Sequence, residues 1–174
     1  TDATGGVGSV AISLLSKLGY QVSASSGRAE YTEYLKSLGA SNIIDRSELS
    51  EKGRPLGKEN WAGAIDSVGS YTLANICASM KYGGTVAACG LAQGFDLPAT
   101  VMPFILRSVT LAGVDSVYCP IEERIVAWER LAKDLNLANL DSMISTISLS
   151  EVVSSAHNML SGKTYGRIIV DVNA

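Results

Sequence analysis

The chain has 174 residues, of which 47% are hydrophobic and 18% charged, with a mean hydropathy of +0.20. That is apolar enough to bury one domain-sized core and argues against disorder. A net charge of −3 offers no basic footprint for nucleic acid or an anionic membrane surface. No apolar run reaches the roughly 18 residues that a spanning helix needs, and the N-terminus lacks a secretory pattern.

Residues 1–8 read TDATGGVG, a glycine-rich turn of the kind that follows a buried strand. Only Thr1 and Asp2 precede it, so the first strand of the sheet is expected to lie outside these residues. Val7, Val10, Ala11, Leu14, Leu15 and Leu18 then form the stripe of an amphipathic helix, with Gly19 as its stop. Residues 21–25 predict a short strand, 29–38 a helix closed by Gly39, and 42–45 a third short segment of strand. Residues 46–60 form a polar connection bearing Gly and Pro, expected as a surface loop.

Ala62–Val68 reads as a buried strand ending near Asp66. Leu73, Ile76, Cys77 and Met80 give a helical stripe that ends at Tyr82-Gly83-Gly84, and 85–89 is the next strand. A short helix at 102–106, a strand at 110–114 and a longer helix opening at Pro120 follow. That last helix carries Ile121, Ile125, Trp128, Leu131 and Leu135 on one face. Ser148-Leu-Ser-Glu151 has the spacing of a capping box before a helix with Val152, Ala156, Met159 and Leu160 inward, and RIIVDV closes the chain as a strand.

Strands alternating with helices of this length imply parallel crossovers and helices on both faces of the sheet. The fold class is therefore α/β, a Rossmann-type doubly wound parallel sheet without its first strand. Ligands of such sheets lie beyond the carboxyl ends of the strands, which is where the glycine turn falls.

Ala3-x-Gly5-x-x-Gly8 is a dinucleotide fingerprint with alanine in its first position. Gly5 allows close approach of a pyrophosphate, Gly8 allows tight helix–strand packing, and the helix beginning near Gly6 offers free N–H groups. The end of the second strand discriminates between cofactors. An NAD site places Asp or Glu there for the ribose 2′-hydroxyl, whereas this chain has Ser25-Ser26-Gly27-Arg28. Hydroxyls and a guanidinium suit a 2′-phosphate, which points to NADPH.

At TDATGGVGS, SSGR, WAGAIDSVG, YGGTVAACGLA, MPFILR and LAGVDS the chain resembles the cofactor domain of the medium-chain dehydrogenase/reductase superfamily. The likeness is to its zinc-free, quinone oxidoreductase-like branch, and within that to the NADPH-dependent acrylyl-CoA reductase group. It runs over essentially the whole chain, GRIIVDV included.

The resemblance implies that Thr4, Gly5, Gly6 and Val7 contact the pyrophosphate, and that Ser26, Gly27 and Arg28 hold the 2′-phosphate. Some members have a basic residue in the region of Asn42, where asparagine still donates. Leu91, Ile105 and Ser116 would line the nicotinamide end. Residues 1–165 would form the NADP-binding domain and 166–174 a strand returning toward a catalytic domain outside this chain. The implied partners are a small alkene or CoA thioester, reached through that other domain, and further copies in a homo-oligomer, with no nucleic acid and no membrane.

No proton donor is nominated. Asp66 and Asp115 near strand ends read as structural or capping residues and His157 as a surface residue. Cys77, Cys89 and Cys119, widely spaced, read as packing residues of a reduced, cytoplasmic protein. Two other readings compete. One is a non-catalytic dinucleotide-binding module for redox sensing or oligomerisation. The other is a Rossmann-like methyltransferase, which would want an acid where Ser25-Ser26 stand.

Overall fold

The glycine turn feeds directly into α1 (Gly6–Lys17), and from there the chain alternates strand and helix. The computed structural model describes residues 1–174. In order the elements are α1, β1 (Val22–Ser26), α2 (Thr32–Ser37), β2 (Ala40–Asp45), α3 (Ser47–Ser50), β3 (Trp61–Asp66), α4 (Ser70–Ala78) and β4 (Met80–Ala88). They continue as α5 (Met102–Arg107), β5 (Thr110–Gly113), α6 (Ile121–Asp134), α7 (Leu140–Met143), β6 (Ile144–Ser148), α8 (Val152–Leu160) and β7 (Arg167–Asp171). Gly19 and Gly39 end the first two helical segments with φ of +87° and +108°, left-handed values that cost glycine little.

Every strand pair is parallel. β1 pairs with β2, β4 lies between β3 and β5, and β6 pairs with β7. Parallel pairing puts all carboxyl ends of β1 and β2 on one edge, with Ser26 opposite Asp45, and those of β3, β4 and β5 on one edge, with Asp66 opposite Ala88 and Ala88 opposite Gly113. Helices join the strands as crossovers, as the sequence pattern requires.

Two apolar clusters hold this arrangement together. Ile12, Val22, Ala24, Leu35, Leu38 and Met143 pack beneath α1, and Leu73, Ile76, Cys77, Met80, Val86 and Val109 pack around α4 and β4. Between β1 and β3 runs an apolar cleft of about 800 Å³, walled by residues such as Ile12, Leu15, Ala24, Ala64 and Ile76. Residues 1–3 stitch one end of it, where the Thr1 nitrogen donates to the Ile65 carbonyl (2.8 Å) and the Ala3 N–H to that of Ser25 (3.1 Å). The strand expected before the glycine turn has no counterpart among residues 1–174.

Four expectations are revised. Residues 47–50 of the supposed loop form a helical turn, because Leu49 is buried in the second cluster. Met80 is not on the helix but opens β4, where it is fully buried. β6, unpredicted, pairs with β7 along its whole length. Finally, Ala156, Met159 and Leu160 do not face inward, since no residue of α8 is buried and Leu160 is 87% exposed. The capping box does form, with the Ser148 N–H donating to the Glu151 carboxylate at 2.9 Å, though it opens a single tight turn before α8.

Candidate functional site

The site begins with backbone that has nothing else to bond. Gly5 precedes α1 in extended conformation and no side chain caps the helix. The amides of Gly6, Val7 and Gly8 lie in the first turn, where no carbonyl four residues back is available, so they point donors and the positive end of the helix dipole outward. Gly8 is required by packing, because a Cβ there would strike the Asp2 carbonyl and lie 2.7 Å from the Ala3 Cα. Val7 is exposed and Thr4 is buried.

Two arginines from distant parts of the chain, Arg28 and Arg167, reach this turn, and a third, Arg46, lies at the Gly27 peptide after β1. Arg28 follows β1, and its guanidinium bonds to the Thr4 hydroxyl oxygen and to the carbonyls of Gly162 (2.8 Å) and Thr164 (2.6 Å). It also lies 4.9 Å from the centroid of the Tyr31 ring, within cation–π range. Arg167 opens β7 and lies so close over Gly6 that a Cβ there would run into its Nε and Cζ. Arg46, just past β2, lies over Gly27 in the same way. The side chains of Arg46 and Arg167 are exposed and make no hydrogen bond or ion pair within the chain.

Segment 162–166 crosses the turn as a strap. The Gly166 N–H donates to the Thr4 carbonyl (2.7 Å), and the Tyr165 ring packs 5.0 Å from both Tyr31 and Tyr34. Tyr34 in turn donates to the Ser9 hydroxyl at 2.9 Å. Partial burial raises the Tyr34 pKa, the Ser9 bond opposing it, so the phenol stays protonated near neutrality.

The end of β1 carries hydroxyls and no acid, as the sequence indicates. Ser26 is buried, and its hydroxyl oxygen accepts the Arg28 N–H at 3.2 Å. The neighbouring carboxylate, Asp45 at the end of β2, is engaged in accepting the Ser47 N–H (2.8 Å), and those bonds hold its pKa below the usual carboxylate range. Asn42 is elsewhere. It pairs with Ser23 toward the start of the strands, about 10 Å along the strand from the Ser26 level, because each residue advances about 3.3 Å.

Leu91 and Ser116 follow the carboxyl ends of β4 and β5, and Ile105 lies on α5. All three are exposed, and no hydrogen bond joins them to the glycine turn. The Ser116 carbonyl accepts the Arg124 guanidinium at 2.7 Å. Asp66 and Asp115 cap backbone: Asp66 accepts the Gly69 N–H (2.8 Å) and the Thr1 hydroxyl (2.6 Å), and Asp115 accepts the Val117 N–H (2.8 Å). His157 is exposed. Cys77 is buried and its thiol is pushed up to about 11 by desolvation and then by Asp66. No group of three or more His, Cys, Asp or Glu comes together as a metal site.

Sequence reasoning missed Arg46 and Arg167. A usable signal existed for Arg46, since the residue just past a strand parallel to β1 must emerge on the same edge as Ser26. Arg167 had none, because its strand register depends on β6.

The described pattern "zinc-binding dehydrogenase" matches residues 6–135. The acrylyl-CoA reductase AcuI of Ruegeria pomeroyi is 51% identical over 175 residues, covering 100% of this chain and 53% of that protein. Among solved structures, E. coli K-12 YHDH with bound NADPH superposes with a TM-score of 0.95 at 56% identity, over 98% of this chain and 53% of that one. The Bacillus subtilis protein yhfP with NAD bound gives 0.91 at 45% identity, over 98% and 52%. The chain spans about half the length of the relatives it matches. With three-quarters of its residues inside the pattern and a glycine turn leading into its first helix, the chain belongs to the zinc-binding dehydrogenase family, within the medium-chain dehydrogenase/reductase superfamily.

Proposed function

We propose that this chain is the NADPH-binding part of an oxidoreductase that reduces an activated alkene, with enoyl-CoA thioesters such as acrylyl-CoA as the substrate class. The observation that carries this reading is the edge at α1 and β1, where open amides, serine hydroxyls and guanidinium groups meet, with the Asp2 carboxylate against Gly5 and the Asp45 carboxylate turned to Ser47. That donor set fits a pyrophosphate and a 2′-phosphate and places no carboxylate at the end of β1 to accept from a free 2′-hydroxyl. The NADPH held by the E. coli relative supports it, as does the name of the Ruegeria relative. The NAD held by yhfP makes cofactor choice the property to measure.

In this reading the amides of Gly6 and Val7, with Thr4 and Gly5, bind the pyrophosphate, and Arg167 places a positive charge beside it. Ser26, Gly27 and Arg28 face the adenosine ribose. Leu91, Ile105 and Ser116 form the nicotinamide end, where the first two exclude water. When bound, the cofactor supplies the hydride for the β-carbon of the alkene. No residue of this chain is assigned as the proton donor, and the substrate is reached through a further domain.

The zinc-free branch suits a chain with one histidine and three scattered cysteines, and unpaired thiols suit the cytoplasm. A homo-oligomer suits β5, an edge strand followed by exposed Val117 and Tyr118. Titration of the chain with NADPH and NADH by nucleotide fluorescence tests the cofactor assignment. Tighter NADPH binding by tenfold or more is expected, and equal affinity would remove it.

A further inference from the structure

Resting on the dinucleotide reading above, we propose that Asp2 is an internal competitor for the phosphate turn: its carboxylate stands where a pyrophosphate must approach, and it limits the affinity of this chain for any dinucleotide. Everything else at the turn attracts anions. The amides of Gly6, Val7 and Gly8 are uncapped, and the Arg167 guanidinium lies over Gly6. An acid is the one side chain that works against this set.

Asp2 is held there by its backbone. It adopts a φ of +45°, a left-handed value that aspartate tolerates better than most side chains. Its carbonyl accepts the Gly5 N–H at 2.9 Å and closes the turn, and Gly8 packs against the same carbonyl. The side chain is thereby folded back over the turn, so that a Cβ on Gly5 would run into Oδ2 and lie 3.1 Å from Cγ.

The carboxylate is otherwise uncommitted. It is exposed and forms no ion pair, not even with Arg167 over the neighbouring glycine, and no side chain caps α1. Asp66 differs, since both of its oxygens are spent on Thr1, Val68 and Gly69. The charge of Asp2 therefore faces the helix N-terminus in the manner of a resident anion. An incoming pyrophosphate meets a repulsion that water weakens without removing.

The test is a titration of the whole chain and its variants with NADPH and NADH, at low salt and at about 1 M salt, where charges are screened beyond about 3 Å. Thermal melting verifies folding. Asp2→Asn keeps the shape and tolerates the left-handed backbone, and so removes only the charge. At low salt it should tighten both nucleotides by about 3- to 10-fold with their ratio unchanged, because the pyrophosphate is common to the two. Asp2→Gly should give the same gain, and high salt should erase it.

The proposal is overturned if Asp2→Asn leaves both affinities unchanged or weakens them, or if the gain persists in high salt. It is also overturned if only Asp2→Gly shows the gain, which would make the backbone responsible, or if only NADPH tightens, which would place the acid elsewhere. Equal wild-type affinity for NADPH and NADH would instead bring down the choice of cofactor and leave the role of Asp2 standing. Binding of neither nucleotide by any of the three chains would bring down the dinucleotide reading itself.

Discussion

The pairs β1–β2 and β6–β7 are both two parallel strands joined through a helical crossover, yet they are buried very differently. Four of the five residues of β1 are buried, and α1 and α2 close over it with Ile12, Leu35 and Leu38. β7 has no buried residue, and neither α6 nor α8 buries one. Met143, just before β6, is the exception and inserts into the cluster beneath α1. The difference teaches that the functional edge is built by the N-terminal half and only braced by the C-terminal one. Bracing comes through contacts that include Met143 and Leu140, the strap over Thr4, Asn139 donating to the Ser13 hydroxyl (3.0 Å), and Lys17 donating to the carbonyls of Lys133 and Leu135 (3.1 and 3.2 Å).

If so, damage should scale with the half that is struck. Gly8→Val forces a branched side chain into the Asp2 and Ala3 backbone and should cost about 3 kcal/mol or more, read by denaturant unfolding. Retention of wild-type stability would mean that α1 does not pack on residues 2–3 as described. Met143→Ala should cost about 2–5 kcal/mol, as for other fully buried large side chains. Trp128→Ser on exposed α6 should stay within about 0.5 kcal/mol. Similar losses from Gly8→Val and Trp128→Ser would erase the contrast between the halves.

The smallest effect concerns the cap before α8. The Ser148 N–H and then its hydroxyl donate to the Glu151 carboxylate and lower its pKa. A lowered folded-state pKa stabilises in full above the ordinary glutamate value of about 4.3 and ceases to do so as pH falls through the lowered one. Glu151→Gln should therefore lower stability slightly at neutral pH, leave it unchanged in acid, and so flatten the acid limb of the stability profile. An unchanged acid limb would show that the carboxylate does not hold the cap in solution.

Much of this was legible in the sequence because local and global signals agreed. The glycine turn, the stripe of α1, the stops at Gly19 and Gly39 and the box at Ser148 and Glu151 each depend on neighbours a few residues away. What was hidden depends on tertiary context. Met80 continues the helical spacing of α4, and only strand pairing moves it onto β4. ISTIS of β6 is short and half polar, and becomes a strand because β7 lies beside it.

The apolar residues of α8 gave an inward stripe, but nothing in the chain packs over them. Ser26 and Arg28 were found from spacing after the turn, whereas Arg46 and Arg167 came into view only through the space they occupy above Gly27 and Gly6.

The strap carries one more implication, for the order in which the molecule assembles. The bond from Gly166 to Thr4 spans 162 positions of sequence and those from Arg28 to Gly162 and Thr164 span 134 and 136. Loops of that length close late, after shorter-range structure has made the closure worthwhile. Nucleotide capture would then be the last competence gained in folding, and the ligand would act as a clasp that rewards only finished molecules.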